Sequence, residues 1–281
     1  MLAKLATIVP DGGKPYCEPF CGAASLFFSR NPAPVEVLND LNGDVVNFFR
    51  VMQDRNTYEE LRHRINWTPY ARDEFVRALA VEQHDDPATR AWAFFVRQNM
   101  GFAGKSKTVG DFGRVFTTCG GMSDVTNKWI MRQSMLDAFR MRILHAQIDN
   151  QCAIDVIRYW DNDDAVFYCD PPYIHSTRSS SDDYSVEQDD DFHHRLVSAL
   201  LECKGAVVLS CYDHPAYQPL SDAGWVRHDF STSAHSAGRV RGSGLKGEGS
   251  AKARVPRTET VWVNPKAVER NNGSFRKENH G

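Results

Sequence analysis

Three observations predict an α/β fold built on one doubly wound sheet. Short apolar runs alternate with helical stretches on both sides of a central helix-rich segment. One such run, 165–169, stops abruptly at Asp170-Pro171-Pro172-Tyr173. Another, starting at Val35, ends in Asn39-Asp40, and an acid about twenty residues beyond the turn of a strand–turn–helix unit has the spacing of a carboxylate that grips ribose hydroxyls.

The bulk properties narrow the field. With 281 residues the chain has room for one large domain, or a large domain and a smaller one. A net charge of −3 argues against a globally basic nucleic-acid binder, so any phosphate-binding surface must be local. No apolar run reaches membrane-spanning length, and the N-terminus has no signal-peptide pattern. Seven cysteines without a C-x-x-C pair suit reduced thiols in the cytoplasm. Cys17 and Cys21 read as small buried residues, since no partner pair completes a metal site.

Taken in order, Leu2, Leu5 and Ile8 recur at helical spacing, and Pro10 with Gly12-Gly13 ends that helix. Residues 16–20 read as a strand, Gly22 permits a tight turn, and 23–30 read as a helix. Such a turn on small residues lets a ligand approach the backbone at a helix N-terminus. Residues 35–40 form a second strand whose terminal Asp40 either grips a ribose or caps a helix over 45–52. From about residue 54 helical signals dominate, over 58–65, 71–81 and 88–96, the last started by Asp86-Pro87.

A glycine-rich, basic and aromatic patch follows. It begins Arg97-Gln98-Asn99 and continues through Lys105, Phe112-Gly113-Arg114 and Gly120-Gly121. Between Arg97 and Arg132 six Lys or Arg stand against two acids. Basic loops with interleaved aromatics fit phosphate contact and base insertion, though a solvated helical insert can look similar. Next come a helix over 131–144, a strand over 146–149 and a helix over 153–160. An acidic cluster from Asp182 to Asp191 would repel phosphates, and reads as facing away from them or as part of a mobile lid. A helix over 193–203, a strand over 206–210, a helical stretch over 217–223 and strands over 225–230 and 258–263 complete the sheet. The loop before the last strand carries Arg239, Arg241 and four further cations against Glu248 alone.

The stretch after residue 169 carries the chemistry. Two prolines in succession continue neither a ladder nor a helix interior, so they freeze the backbone beyond the strand tip. An exocyclic amine on an aromatic ring is a poor nucleophile because its lone pair is delocalised. The Asp170 carboxylate and the Pro171 carbonyl can hold both its hydrogens, and Tyr173 can stack on the ring, as flipped-out bases are held. The plainer alternative is a rigid turn with an N-capping Asp.

The order Glu18-Pro19-Phe20-Cys21-Gly22-Ala23-Ala24-Ser25, then Asn39-Asp40-Leu41-Asn42-Gly43-Asp44, then a helical insert, then Tyr168-Cys169-Asp170-Pro171-Pro172-Tyr173 resembles the Dam-type DNA adenine-N6 methyltransferases of the alpha group. His175-Ser176-Thr177-Arg178, 208–212 and 257–265 agree with it. The resemblance implies a Rossmann-like methyltransferase sheet with a mostly helical target-recognition insert. It divides the chain into a first catalytic part, 1–53, the insert, 54–142, and a second catalytic part, 143–281. It implies S-adenosylmethionine as methyl donor, adenine N6 in double-stranded DNA as substrate, and an intracellular protein of bacterial or phage origin. The alternatives are a related amino-methyltransferase on cytosine N4 or RNA, or a non-catalytic DNA-binding relative with an incomplete cofactor site. No metal is implied, and a restriction endonuclease partner, the recognition sequence and the oligomeric state are left open.

Carried over residue by residue, the resemblance makes Glu18, Pro19, Phe20, Cys21, Gly22, Asp40 and Asp170 cofactor-binding. Asp170, Pro171, Pro172 and Tyr173 become catalytic, and Arg97, Gln98, Asn99, Lys105, Arg178, Arg239 and Arg241 DNA-binding. One departure concerns the Gly-Lys segment that family members carry ahead of the first helix. Here Met1-Leu2 already lies in that helix and Gly12-Gly13-Lys14 follows it, which leads us to expect either an upstream start or a weakened cofactor site. Ala24 also stands where a glycine is commoner.

Overall fold

The computed structural model describes residues 2–101, 108–172, 174, 190–233 and 256–278. The first third comprises α1 (Leu2–Ile8), β1 (Tyr16–Glu18), α2 (Ser25–Ser29), β2 (Glu36–Asn39) and α3 (Gly43–Gln53). A helical stretch follows, with α4 (Arg55–Asn66), α5 (Arg72–Leu79), α6 (Pro87–Met100), a small hairpin of β3 (Thr118–Cys119) and β4 (Met122–Ser123), α7 (Asp124–Ser134) and α8 (Leu136–Ile143). The remainder is β5 (Ala146–Asp149), α9 (Ala153–Trp160), β6 (Val166–Cys169), α10 (Asp190–Leu201), β7 (Ala206–Tyr212), α11 (Gln218–Asp222), β8 (Val226–Ser233), β9 (Pro256–Val263) and α12 (Pro265–Glu278).

Seven strands form one sheet in the order β5-β2-β1-β6-β7-β9-β8, parallel except for β9, which runs antiparallel to both neighbours. The chain fills the sheet outward from β1 in one direction, then returns beside β1 as β6 and fills the other side. Ligand crevices in open α/β sheets lie outside the carboxyl ends of the strands at such a reversal. Tyr16 stands opposite Val166 and Cys17 opposite Phe167, so the chain leaves β1 and β6 side by side.

Alternate residues of the strands feed two apolar layers. Tyr16, Leu38, Val166, Tyr168 and Val208 point to one face, and Cys17, Val37, Phe167, Cys169 and Leu209 to the other. The second layer is closed by α9 and α10 through Ile154, Ile157, Leu196 and Leu200. The first runs on without a break into the helical stretch through Leu61, Phe75, Trp92 and Trp129. The helices between β2 and β5 therefore share the core of the sheet.

Two local expectations are corrected. The single helix read over 131–144 is two helices meeting at Met135, whose N–H is shared among the carbonyls of Met131, Arg132 and Gln133. Helix α7 is tied to the end of α4, with Trp129 Nε1 donating to Thr68 O at 3.0 Å. Helix α8 is tied to β2, where Arg142 makes a two-pronged ion pair with the buried Glu36. Two different anchors bend the chain between them, and hydrophobic spacing does not register that. Helix α12 had no counterpart in the sequence reading, although Asn264-Pro265 signals its start: the Asn264 side chain accepts the Ala267 N–H at 2.9 Å and Pro265 opens the first turn.

Candidate active site at the carboxyl ends of β1, β2 and β6

Strand β1 ends in Glu18, which shares a strand face with Tyr16 two residues earlier. The Tyr16 hydroxyl donates to Glu18 Oε1 at 2.7 Å, and the Phe27 N–H of α2 also reaches the carboxylate. Arg30 lies over the Tyr16 ring at 4.5 Å and donates to the carbonyls of Val9 and Pro10. Glu18 is 2% exposed, and burial pushes its carboxyl up to about 7 against these donors. It is turned inward and holds α2 against β1.

Beyond Glu18 the chain passes through Pro19, Phe20, Cys21 and Gly22. Gly22 has φ +46°, and the space where a Cβ would stand is empty to 4 Å. That combination puts bare backbone at the edge of open space. Ala24 also adopts the left-handed conformation, at φ 50°, which is where a glycine costs less. Phe20 is half-buried, its ring edge-on to Phe192 of α10 at 6.2 Å.

The β1 and β2 ends are joined by side chains of β2. Asp40 Oδ2 accepts the Gly22 N–H at 2.8 Å and Oδ1 accepts the Asn42 N–H at 2.8 Å. Asp40 does not cap α3. Asn42 does, accepting the Asp44 N–H at 3.0 Å. Burial raises the Asp40 carboxyl above its ordinary value despite the two backbone donors. Asn39, 1% exposed, donates to the carbonyls of Pro19 and Gln151 and accepts the Gln151 N–H, so one amide holds the loops after β1 and β5. The sequence reading gave Asn39 no role. A polar residue at the last position of a buried strand was the available signal.

Strand β6 delivers Asp170 and Pro171 beside this turn. Pro171 is buried and Pro172 half-buried, while Asp170 itself is exposed to solvent. Desolvation by the surrounding protein, with Glu259 of β9 adding repulsion, pushes the Asp170 carboxyl up to about 7. Asp170 is thus open to solvent yet surrounded by enough protein to be desolvated. Water at its exposed face screens part of this cost. Asp170 also raises Glu18, which puts the two carboxyls within electrostatic reach across the β1–β6 boundary.

The expected DNA-binding residues are placed less uniformly. Arg97 is turned into the protein, its guanidinium on Asp44 at 3.0 Å and on the Ala78 carbonyl at 3.1 Å. Asn99 donates to Phe95 O within α6, and Gln98 is exposed. Tyr173, Lys105, Arg178, Arg239 and Arg241 lie outside the described residues. Among the described residues, no cluster of three or more His, Cys, Asp or Glu is arranged to hold a metal ion, and no helix is long and apolar enough to cross a membrane.

A sheet of this order, with a glycine turn after β1, an acid after β2 and Asp-Pro-Pro after β6, defines a Rossmann-like methyltransferase. The model of the D12 class N6 adenine-specific DNA methyltransferase family matches residues 1–228. The chain belongs to that family, and its activity is methylation of adenine N6 in DNA. A comparison with curated proteins gives no match.

Proposed function

We propose that the chain methylates adenine in double-stranded DNA with S-adenosylmethionine as donor, the target base being turned out of the duplex into the crevice between β1 and β6. The observation that carries this reading is Asp170, exposed at the carboxyl end of β6, one strand from the Gly22 turn and the Asp40 carboxylate.

The residues present fit such a donor. S-adenosylmethionine supplies a methyl group on a positively charged sulfur, and the exposed Asp170 carboxyl, with Glu259 in electrostatic reach, favours a cation. The Asp40 carboxylate is fixed by two backbone donors and keeps lone pairs for ribose hydroxyls. The open side of Gly22 admits a ligand to the backbone.

On the substrate side, Asp170 accepts one hydrogen of the adenine amine and the Pro171 carbonyl the other. Held so, the nitrogen is drawn out of conjugation and its lone pair aims at the methyl carbon. The bound donor would supply the methyl group, its C–S bond breaking as the new C–N bond forms, while Asp170 and Pro171 hold the amine in line. The nitrogen's surplus proton is then acidic and departs to Asp170 or to water, so no strong base is required. Proximity and orientation supply most of the acceleration. Residues 54–142 serve as the target-recognition insert in this reading.

The test is incubation with methyl-labelled S-adenosylmethionine and DNA of mixed sequence, followed by digestion to nucleosides. Label in N6-methyladenine is the expected result. Label in another nucleoside, or none, overturns the reading.

A further inference from the structure

Asp44 lies two residues past Asn42, and both its oxygens are taken by arginines of α6. Arg90 reaches Oδ1 at 3.1 Å and Arg97 reaches Oδ2 at 3.0 Å. All three side chains are largely covered, at 29% exposure for Asp44, 20% for Arg90 and 18% for Arg97. Arg97 extends the tie to α5 through the Ala78 carbonyl. On the other side, Asp44 N–H donates to the Asn42 side chain and Asn42 N–H donates to Asp40. A continuous polar path therefore runs Asp40, Asn42, Asp44, Arg97. It starts at the carboxylate assigned to the ribose and ends one turn from Gly101, where α6 enters the glycine-rich basic segment.

Packing supports the same junction. Phe48 of α3 sits against Phe94 and Phe95 of α6, at 5.5 and 6.1 Å between ring centroids, and Asn47 donates to the Pro87 carbonyl. The clamp itself is not enclosed by that packing. A cavity of about 430 Å³ borders it, lined by Asp44, Arg90, Arg97 and His84 among others. Charge-assisted bonds beside open space hold a joint that apolar contacts leave adjustable.

We infer that Asp44 is a positioning residue that transmits cofactor occupancy at Asp40 to the end of α6, and so couples donor binding to the DNA-reading segment. The inference rests on the proposed placement of the donor. Ordering the Asp40–Asn42 turn fixes the N-terminus of α3. The clamp then fixes Arg97 and the last turn of α6, and the ordering cost is met once for both ligands.

The test is hydrogen exchange on the full chain with and without S-adenosylhomocysteine, in wild type, Asp44→Asn and Arg97→Gln. Arg97→Gln leaves the carboxylate at the α3 N-terminus and serves if Asp44→Asn misfolds. In wild type the analogue should slow exchange both at the Gly22 and Asn42 amides and at residues 98–101, the latter by about fivefold or more, the low end of such couplings. In the variants the first effect should persist and the second should vanish. Slowing at 98–101 that survives in the variants, or that is missing from wild type while Gly22 responds, overturns the inference alone. A wild type that does not respond anywhere rejects the donor site, and the coupling with it.

Discussion

The Asp40 carboxylate accepts the Gly22 N–H at 2.8 Å, closing the gap between the ends of β2 and β1. Eighteen residues apart in sequence, the two are one piece of the site: the acid fixes the turn, and the turn aims the acid. In Asp40→Asn one oxygen becomes an NH2 that must face a backbone donor. Loss of a charge-assisted bond of about 1.5–3 kcal/mol should weaken S-adenosylhomocysteine binding by roughly ten- to a hundredfold in a calorimetric titration. Turnover at saturating donor should change far less. Unchanged affinity would remove Asp40 from the cofactor site.

Asp170 acts only as an acceptor, so its ionised form is the working one. Asp170→Asn should lower single-turnover methyl transfer by about 10²–10³-fold, the usual effect of losing one preorganised polar group. Because the side chain is exposed, the thermal midpoint should not fall. Transfer in the wild type should rise with pH. The limb should be centred near pH 7. A transfer rate independent of pH from 5 to 8 would argue against a titrating acceptor here.

The single doubly wound sheet and the strand-end places of Gly22, Asp40 and Asp170 were legible because each follows from a local rule: an apolar run, a turn residue, an acid at a strand end. The inward turn of Glu18 was not legible, because nothing local tells which way a carboxylate turns. That choice depends on Tyr16 and Phe27 offering donors on the inner side. Arg97 looked like a DNA contact from the basic patch it opens. Its partner, Asp44, lies 53 residues away, and ion pairs at that range are written in the fold alone. The Met135 bend was invisible for the same reason, since α7 and α8 answer to α4 and β2 respectively.

Gly12 and Gly13 are adjacent, and both have positive φ, at 75° and 101°. Only Gly13 is also confined by packing. A Cβ there would stand 2.8 Å from Val166 Cγ2 and 3.1 Å from the Pro15 carbonyl, while nothing lies within 4 Å at Gly12. Gly12→Ala should cost about 1–2 kcal/mol, the strain of a left-handed alanine. Gly13→Ala adds overpacking against β6, about 1–3 kcal/mol more. Urea unfolding of the two variants should rank them in that order, and equal midpoints would show that Val166 yields without cost.

Glu18 sets the last expectation, on how stability varies with pH. Folded, it keeps its proton to about pH 7, because burial outweighs the help from Tyr16, Phe27 and Arg30; its ordinary value is 4.5. Between those limits the folded chain binds more protons than the unfolded one, so stability falls as pH rises. The contribution is complete below about pH 4.5 and is lost as pH climbs through 7. At 1.36 kcal/mol per unit the loss is on the order of 3 kcal/mol. Glu18→Gln removes this titration and leaves that of Asp170 in place, so the difference between the two chains isolates Glu18. Urea midpoints for wild type should drop from pH 5 to pH 8 more steeply than those of the variant. At pH 8 the neutral amide, still able to accept from Tyr16, should make the variant the more stable of the two. Parallel midpoint curves would mean that Glu18 is ionised throughout, and the inward-facing carboxyl would need a cationic partner closer than Arg30.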